Sequence, residues 1–312
     1  HTRCSRDWSS DVCSSDLSIM LDHSSDEISS EEAAELITEI NRYLSTDDIV
    51  FYPGISYRHC MVWKNGTGQR SMTPPHDILD KKITPYLPSG DNSDMLLSMQ
   101  KKSFEILMNH PVNQARIKRG LKPANSIWLW GEGRKPAIPK FIDKYGIKGS
   151  VISAVDLIKG IGLCAGLDSV DVEGATGNIH TNFRGKADAA LRELEKGKDF
   201  VYVHIEAPDE CGHRFEIENK VKSIEFIDNL VVRPLMEGLS KYDDYSILVL
   251  PDHPTPLSLR THTPEPVPYV IYRKSTAVPS GLTGYDEFQA EKTGIKIDKG
   301  HTLMDRFLGV RP

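Results

Sequence analysis

The 312-residue chain sets 38 basic against 44 acidic residues, a formal net charge of −6, with 39% hydrophobic and 26% charged residues. That balance suits a soluble globular protein with a sizeable core. It offers no basic surplus with which to neutralise a phosphate backbone, and no apolar run reaches transmembrane length. Of the five cysteines, Cys4 and Cys13 sit in an irregular opening while Cys60, Cys164 and Cys211 are scattered and odd in number. The expected compartment is therefore a reducing cytoplasm, with neither a nucleic acid nor a membrane as partner.

The opening HTRCSRDWSSDVCSSDL has no hydrophobic period. Its DWSSDVCSSDL portion back-translates into a string resembling a short-read sequencing adapter, so residues 1–17 are read as a disordered artefact outside the fold. SSEEAAELITEINRYL then carries Ser29 or Ser30 ahead of acids and apolar residues at helical spacing, a capped amphipathic helix. DIVFYPG reads as a strand, a Pro-rich polar stretch follows, and MLLSMQKKSFEILMNHPVNQARIKRG returns to helix. From SIWLWGEG onward the pattern regularises. Apolar strands SIWLW, GSVISAV, DFVYVHIEA, YSILVLPDH and VPYVIY alternate with helical segments near AIPKFIDKYG, DLIKGIGLCAG, GKADAALRELEKG and KVKSIEFIDNLVVRPLMEGLSK. Such alternation predicts an α/β fold, a mostly parallel sheet with helices on both faces. The composition change near Asn125 separates residues 18–125 from 126–312.

In open α/β sheets reactive groups gather beyond the carboxyl ends of strands. DFVYVHIEAPDECGH places Asp209 and His213 there, YSILVLPDH places Asp252 and His253, and His262 follows on the next loop. Carboxylate and imidazole are ligands that Mn²⁺ and Zn²⁺ accept, and no paired cysteines point to a thiolate site. Any one Asp-His pair is ordinary turn chemistry. Their recurrence on successive strand ends is specific, because a fold with no ligand to hold gains little from gathering that many titratable groups. Cys211 reads as filler within the first motif, His204 and His301 as core or helix-cap histidines, and Trp128 and Trp130 as packing on one strand.

EAPDECGH, LPDHPTP and RTHTPEPVP resemble the metal-binding motifs of the alkaline phosphatase superfamily. FYPGISYRH, PPHDI, HPVN, PANSIWLWGEG, SAVDLIKGIG and GATGN are similar to the archaeal-type cofactor-independent phosphoglycerate mutases, and the matches run in order from Met20 to the end. The resemblance implies an alkaline-phosphatase-like core with an inserted smaller α/β substrate domain, residues 18–125, and the C-terminal part of the metal-binding core, residues 126–312. It implies phosphoryl transfer between the 3- and 2-positions of glycerate through a phosphoserine. Two divalent metals (Mn²⁺, Zn²⁺ or Co²⁺) are expected and no 2,3-bisphosphoglycerate. Asp209, His213 and His262 match the ligands of one metal, Asp252 and His253 part of the second site.

A substrate bearing a phosphate and a carboxylate needs fixed cations near it. Arg58 and His59, His76 with Asp77, Arg134, Lys159 and Arg260 are the candidates; each taken alone is equally consistent with a solvated charge or a structural ion pair. The resembling family also brings an N-terminal strand with a ligand aspartate and a serine nucleophile, and nothing ahead of Met20 matches either. The chain is thus expected to be an inactive, truncated fragment, with none of Ser24, Ser25 or Ser56 in a nucleophile context. A sister branch acting on homoserine shares these motifs, and a non-catalytic metal- or phosphate-binding module is the alternative of another class.

Overall fold

A computed structural model describes residues 18–309; the reading of residues 1–17 lies outside them. The chain divides into two compact units, one ending at Lys135 and one beginning at Pro136.

In the first unit, helix α1 (Ser30–Leu44) starts at Ser29, whose side chain accepts from Glu32 N, and buries Ala33, Leu36, Ile37, Ile40 and Leu44. That stripe at i, i+3, i+4 and i+7 spacing packs on β1 (Ile49–Pro53), which pairs antiparallel with β2 (His59–Trp63). A second short antiparallel pair joins β3 (Arg70–Ser71) to β4 (Ser89–Gly90). Helices α2 (Ser93–Met108) and α3 (Pro111–Lys118) complete a core that includes Phe51, Met99, Leu107 and Val112. Arg116 is 2% exposed. Its guanidinium and Nε donate to Glu32 and to the carbonyls of Ser25 and Lys122, which answers its burial.

The predicted strand SIWLW does not form. Residues 121–140 have no regular secondary structure, because their polar groups find other partners: Ile127 N donates to Ser103 Oγ at 3.0 Å, and Trp128 Nε1 to Thr73 O at 2.8 Å. Trp130 is 45% exposed and stands edge-on to His76, with ring centres 5.3 Å apart.

The second unit follows the βα pattern. After α4 (Phe141–Tyr145), β5 (Gly149–Ile152) is flanked in parallel by β6 (Asp168–Val170) and β7 (Phe200–Val203), in the order β6-β5-β7. Strand alternation puts helices on both faces. Ile152 packs with Ala189 and Ala190 of α6 (Phe183–Glu195), while Val151 meets α5 (Asp156–Cys164) on the other side. Gly162 is needed for that approach, since a Cβ there would lie 2.5 Å from Val151 Cγ1. Helix α7 (Ala207–His213) follows β7, and α8 (Ile217–Ile227) runs through a wide turn, Asp228–Val232, into α9 (Arg233–Leu239). The last strands, β8 (Ser246–Val249) and β9 (Val270–Arg273), correct one expectation. Neither YSILVLPDH nor VPYVIY extends the parallel sheet: β8 and β9 form a separate antiparallel pair, Ile247 opposite Tyr272, because the chain between them turns back over 250–269 without a crossover helix.

Candidate metal centre

Asp209 and His213 are expected on a loop; they stand on α7. Pro208 sits in the first turn of that helix, where its fixed φ and missing N–H are tolerated. The D-x-x-x-H spacing then stacks carboxylate and imidazole one turn apart on one face. His262 comes from the Pro-rich segment 250–269, which forms no helix. The three residues meet, with their donor atoms all within 4.8 Å of one another.

His213 Nε2 lies 3.0 Å from His262 Nε2 and 3.4 Å from Asp209 Oδ2, and His262 Nε2 lies 3.3 Å from Asp209 Oδ1. A divalent first-row ion with ligand bonds of about 2.0–2.2 Å keeps neighbouring donors about 3.0–3.5 Å apart, so this donor set fits such an ion. The tautomer of His213 agrees. His213 Nδ1 sits 2.9 Å from the carbonyl of Arg260, so that nitrogen carries the proton and Nε2 keeps its lone pair.

Asp252 and His253 follow β8 beside this trio. Asp252 Oδ2 lies 3.3 Å from His253 Nε2, and the His253 and His262 rings are 3.7 Å apart at 33°. Among the described residues these two do not complete a further group of three. Arg260 has φ +54° and its guanidinium lies over the Phe215 ring at 4.9 Å, while Lys159 pairs with Asp171 at 2.6 Å. The remaining expected anion contacts belong to the first unit. Arg58 stacks on Tyr57 at 4.6 Å, His59 Nδ1 accepts from Gly54 N at 3.2 Å, His76 Nε2 is 3.8 Å from Asp77, and Arg134 is exposed.

Three residues near the trio are given no part in it by the sequence: His204, which reads as a core or helix-cap histidine, and Thr255 and Lys220. His204, just past β7, is half-buried with Nδ1 3.2 Å from Ser153 Oγ; burial lowers its pKa against the opposing pull of Asp252 and Asp209, which places it in the field of the site. Thr255 donates its hydroxyl to Asp209 Oδ1, and Lys220 donates to the carbonyls of Pro208 and Thr255, both at 3.0 Å. A histidine two residues before EAPD was the available signal for the first; nothing in the sequence marks the other two. His301 is exposed in the short turn before a final helix, Leu303–Phe307, and is no core residue, whereas Cys211 is buried as filler. Ser56 Oγ donates to Ile28 O and Ser24 caps a turn built on Asp22, so both serve local structure.

Residues 59–307 match the family model described as the metalloenzyme superfamily. The chain is 48% identical over 290 residues to the "Probable 2,3-bisphosphoglycerate-independent phosphoglycerate mutase" of Geobacter sulfurreducens, covering 93% of this chain and 72% of that one. It is 46% identical over 285 residues to a 2,3-bisphosphoglycerate-independent phosphoglycerate mutase of Methanosarcina barkeri, covering 91% and 71%. In fold it is similar to a solved protein of Pyrococcus horikoshii, with TM-score 0.69, 24% identity and coverage of 94% and 72%. It is similar also to a cofactor-independent phosphoglycerate mutase of Thermoplasma acidophilum, with TM-score 0.52, 23% identity and coverage of 89% and 69%. With a ligand trio that suits a divalent metal and relatives matched across nine-tenths of its length, the chain belongs to the 2,3-bisphosphoglycerate-independent phosphoglycerate mutase family of the metalloenzyme superfamily.

Proposed function

We propose that this protein interconverts 3-phosphoglycerate and 2-phosphoglycerate through a phosphoserine at a two-metal site, its substrate a small phosphorylated hydroxy acid. The observation that carries the reading is the convergence of Asp209, His213 and His262 from α7 and the 250–269 segment. These three would hold one ion, and Asp252 with His253 would supply part of a second position beside it. Divalent ions held by these residues would supply positive charge against the phosphoryl oxygens of an in-line displacement.

The chain's own groups would handle the rest of the substrate. Lys159 and Arg260 lie in the metal-bearing unit; Arg58, His59, His76, Asp77 and Arg134 lie in the other, which we assign as the substrate domain. Arg reads a carboxylate or phosphate bidentately and Lys acts as a point charge. No serine of this chain is given the nucleophile's role, because none of Ser24, Ser25 or Ser56 stands in a nucleophile context.

The test is a chimera in which the portion of the Geobacter relative left outside the match is joined to this chain, loaded with Mn²⁺ and assayed for 3- to 2-phosphoglycerate exchange. Exchange that disappears with Asp209→Asn supports the reading. A metal-loaded chimera that instead phosphorylates homoserine from ATP places the chain on the sister branch, and one that binds Mn²⁺ but transfers no phosphoryl group makes it a binding module.

A further inference from the structure

The trio explains which groups could hold an ion but not what fixes them. Asp209 has two oxygens and a rotatable carboxylate, and the segment bearing His253 and His262 has no helix or strand of its own. Something must pin both, because a ligand set that wanders by an ångström loses its ion.

One side chain touches ligands of both candidate positions. Thr255 is 5% exposed, donates its hydroxyl to Asp209 Oδ1, and has the same oxygen 3.4 Å from His253 Nδ1. A hydroxyl offers one proton and two lone pairs. With its proton committed to the carboxylate, it accepts from His253 Nδ1 when that nitrogen carries the proton, the tautomer in which Nε2, 3.3 Å from Asp252 Oδ2, is free to act as a ligand. Asp209 is held in the same stroke, with its other oxygen facing His213 Nε2 at 3.4 Å.

Thr255 is itself braced. Its carbonyl accepts from Lys220 Nζ at 3.0 Å, and the same ammonium donates to Pro208 O at 3.0 Å, tying the loop to the first turn of α7. Lys220 is partly buried, and desolvation lowers its pKa against the attraction of Asp209. The approach is close enough to require a glycine beneath it: a Cβ on Gly212 would stand 2.6 Å from Thr255 O and 2.9 Å from Lys220 Nζ. Two further bonds, Thr263 N to Pro254 O at 3.2 Å and Arg260 N to Pro256 O at 2.8 Å, fold the rest of the segment around this anchor.

We propose that Thr255 is a positioning residue shared by the two candidate metal positions, held in register by Lys220, so that one hydroxyl orients Asp209 of the first and His253 of the second. The inference rests on the metal reading given above and adds to it a specific cause for the geometry.

Mn²⁺ alone is the probe, titrated by calorimetry into the whole protein, with thermal melting of the metal-free form measured alongside. Thr255→Val keeps the shape and removes the hydroxyl; it should weaken Mn²⁺ binding by about 10–100-fold, the usual cost of losing an outer-shell partner. Thr255→Ser restores the hydroxyl and should recover most of the affinity, which a purely packing role for the methyl group would not allow. Lys220→Met should move affinity in the same direction as Thr255→Val. Asp209→Asn separates the two levels of the argument: if it leaves Mn²⁺ binding intact, the metal reading itself fails. If it removes binding while Thr255→Val matches the parent, or if Thr255→Ser is no better than Thr255→Val, the shared-anchor role is overturned and the metal reading stands.

Discussion

Both units pair cations with carboxylates, as Lys159 does with Asp171 in the second, but one cluster of polar side chains there is arranged differently. In it Asp209 and His213, one helical turn apart, face His262, more than forty positions further along the chain, with donors 3.0–3.4 Å apart. In the first, the basic residues with close partners serve the fold. Arg116 is buried on Glu32 and two carbonyls, Lys122 bridges Asp22 and Asp26, and Arg70 pairs with Glu132 above the Trp63 ring at 5.1 Å. A cation that meets a carboxylate is a structural statement. Two imidazoles and a carboxylate turned inward on one point form a donor set whose spacing suits a divalent ion. The comparison teaches that the kind of neighbour a polar group keeps says more about function than its charge.

The sharpest way to break the comparison is to remove a ligand. Asp209→Asn or His262→Ala should each reduce Mn²⁺ affinity by more than the roughly 10–100-fold that an outer-shell change costs, with little loss of fold, because His262 is half exposed at 52%. Changing Glu32→Gln in the first unit should do the reverse, leaving Mn²⁺ affinity alone and stripping Arg116 of its charge partner, at a cost of about 3–5 kcal/mol when such a pair is broken inside the protein. Calorimetric titration and urea unfolding on the same samples check both. Parallel losses in the two assays would mean that the two units do not differ as described.

Much of this was legible from residue order. The D-x-x-x-H motif after an apolar strand pointed to Asp209 and His213, which the fold brings beside His262, and the βα alternation predicted β5 and β7 with their helices but not the short β6. What escaped did so for physical reasons. SIWLW has strand composition, but its backbone bonds to Ser103 Oγ rather than to a strand. Asp209 and His213 were expected on a loop because they follow a strand end, yet Pro208, tolerated in a first turn, opens a helix there. Thr255 and Lys220 carry no motif, since their role depends on a loop and a helix 35 positions apart coming within 3.0 Å. Anion contacts from Arg58 to Arg260 rest on charge alone, and charge alone does not say what a side chain meets.

A buried cation in the second unit sharpens the contrast through pH. Lys186 on α6 is 1% exposed and donates to His204 O at 3.1 Å. Burial lowers its pKa to about 8, with Glu206 pulling the other way. A folded pKa below the unfolded one means that the unfolded chain holds more of this proton between about pH 8 and 10.5, so stability should rise with pH across that window and carry its full penalty below it. At about 1.4 kcal/mol per unit, the difference in unfolding free energy between parent and Lys186→Met should change by about 3 kcal/mol from pH 8 to 10.5. A flat difference across that range would show that the ammonium is solvated or better paired than its surroundings suggest.

For the substrate domain the proposal predicts a smaller, separable effect. In the chimera, Arg58→Ala should raise the KM for 3-phosphoglycerate by about 10–100-fold, the worth of a charge-assisted hydrogen bond of about 1.5–3 kcal/mol. Mn²⁺ affinity should not move. An unchanged KM would return Arg58 to the role of a surface cation resting on Tyr57.

The smallest expected effect tests whether the first unit's architecture is independent of the metal site. Ser29 caps α1 by accepting from Glu32 N at 3.2 Å, and the helix it opens buries five apolar residues against β1. Removing that hydroxyl frees one backbone N–H and a contact to the exposed Glu31 carboxylate, while Glu32's carboxylate stays on Arg116 and Arg119. Ser29→Ala should therefore cost about 1 kcal/mol of stability, the usual worth of a helix N-cap. A shift in the urea midpoint at unchanged slope would show a loss of native stability without a change in the surface exposed on unfolding. Mn²⁺ titration of the same variant should overlay the parent. If affinity fell as well, α1 would be supporting the ligand trio through the fold, and the separation drawn between a structural unit and a chemical one would have to be abandoned.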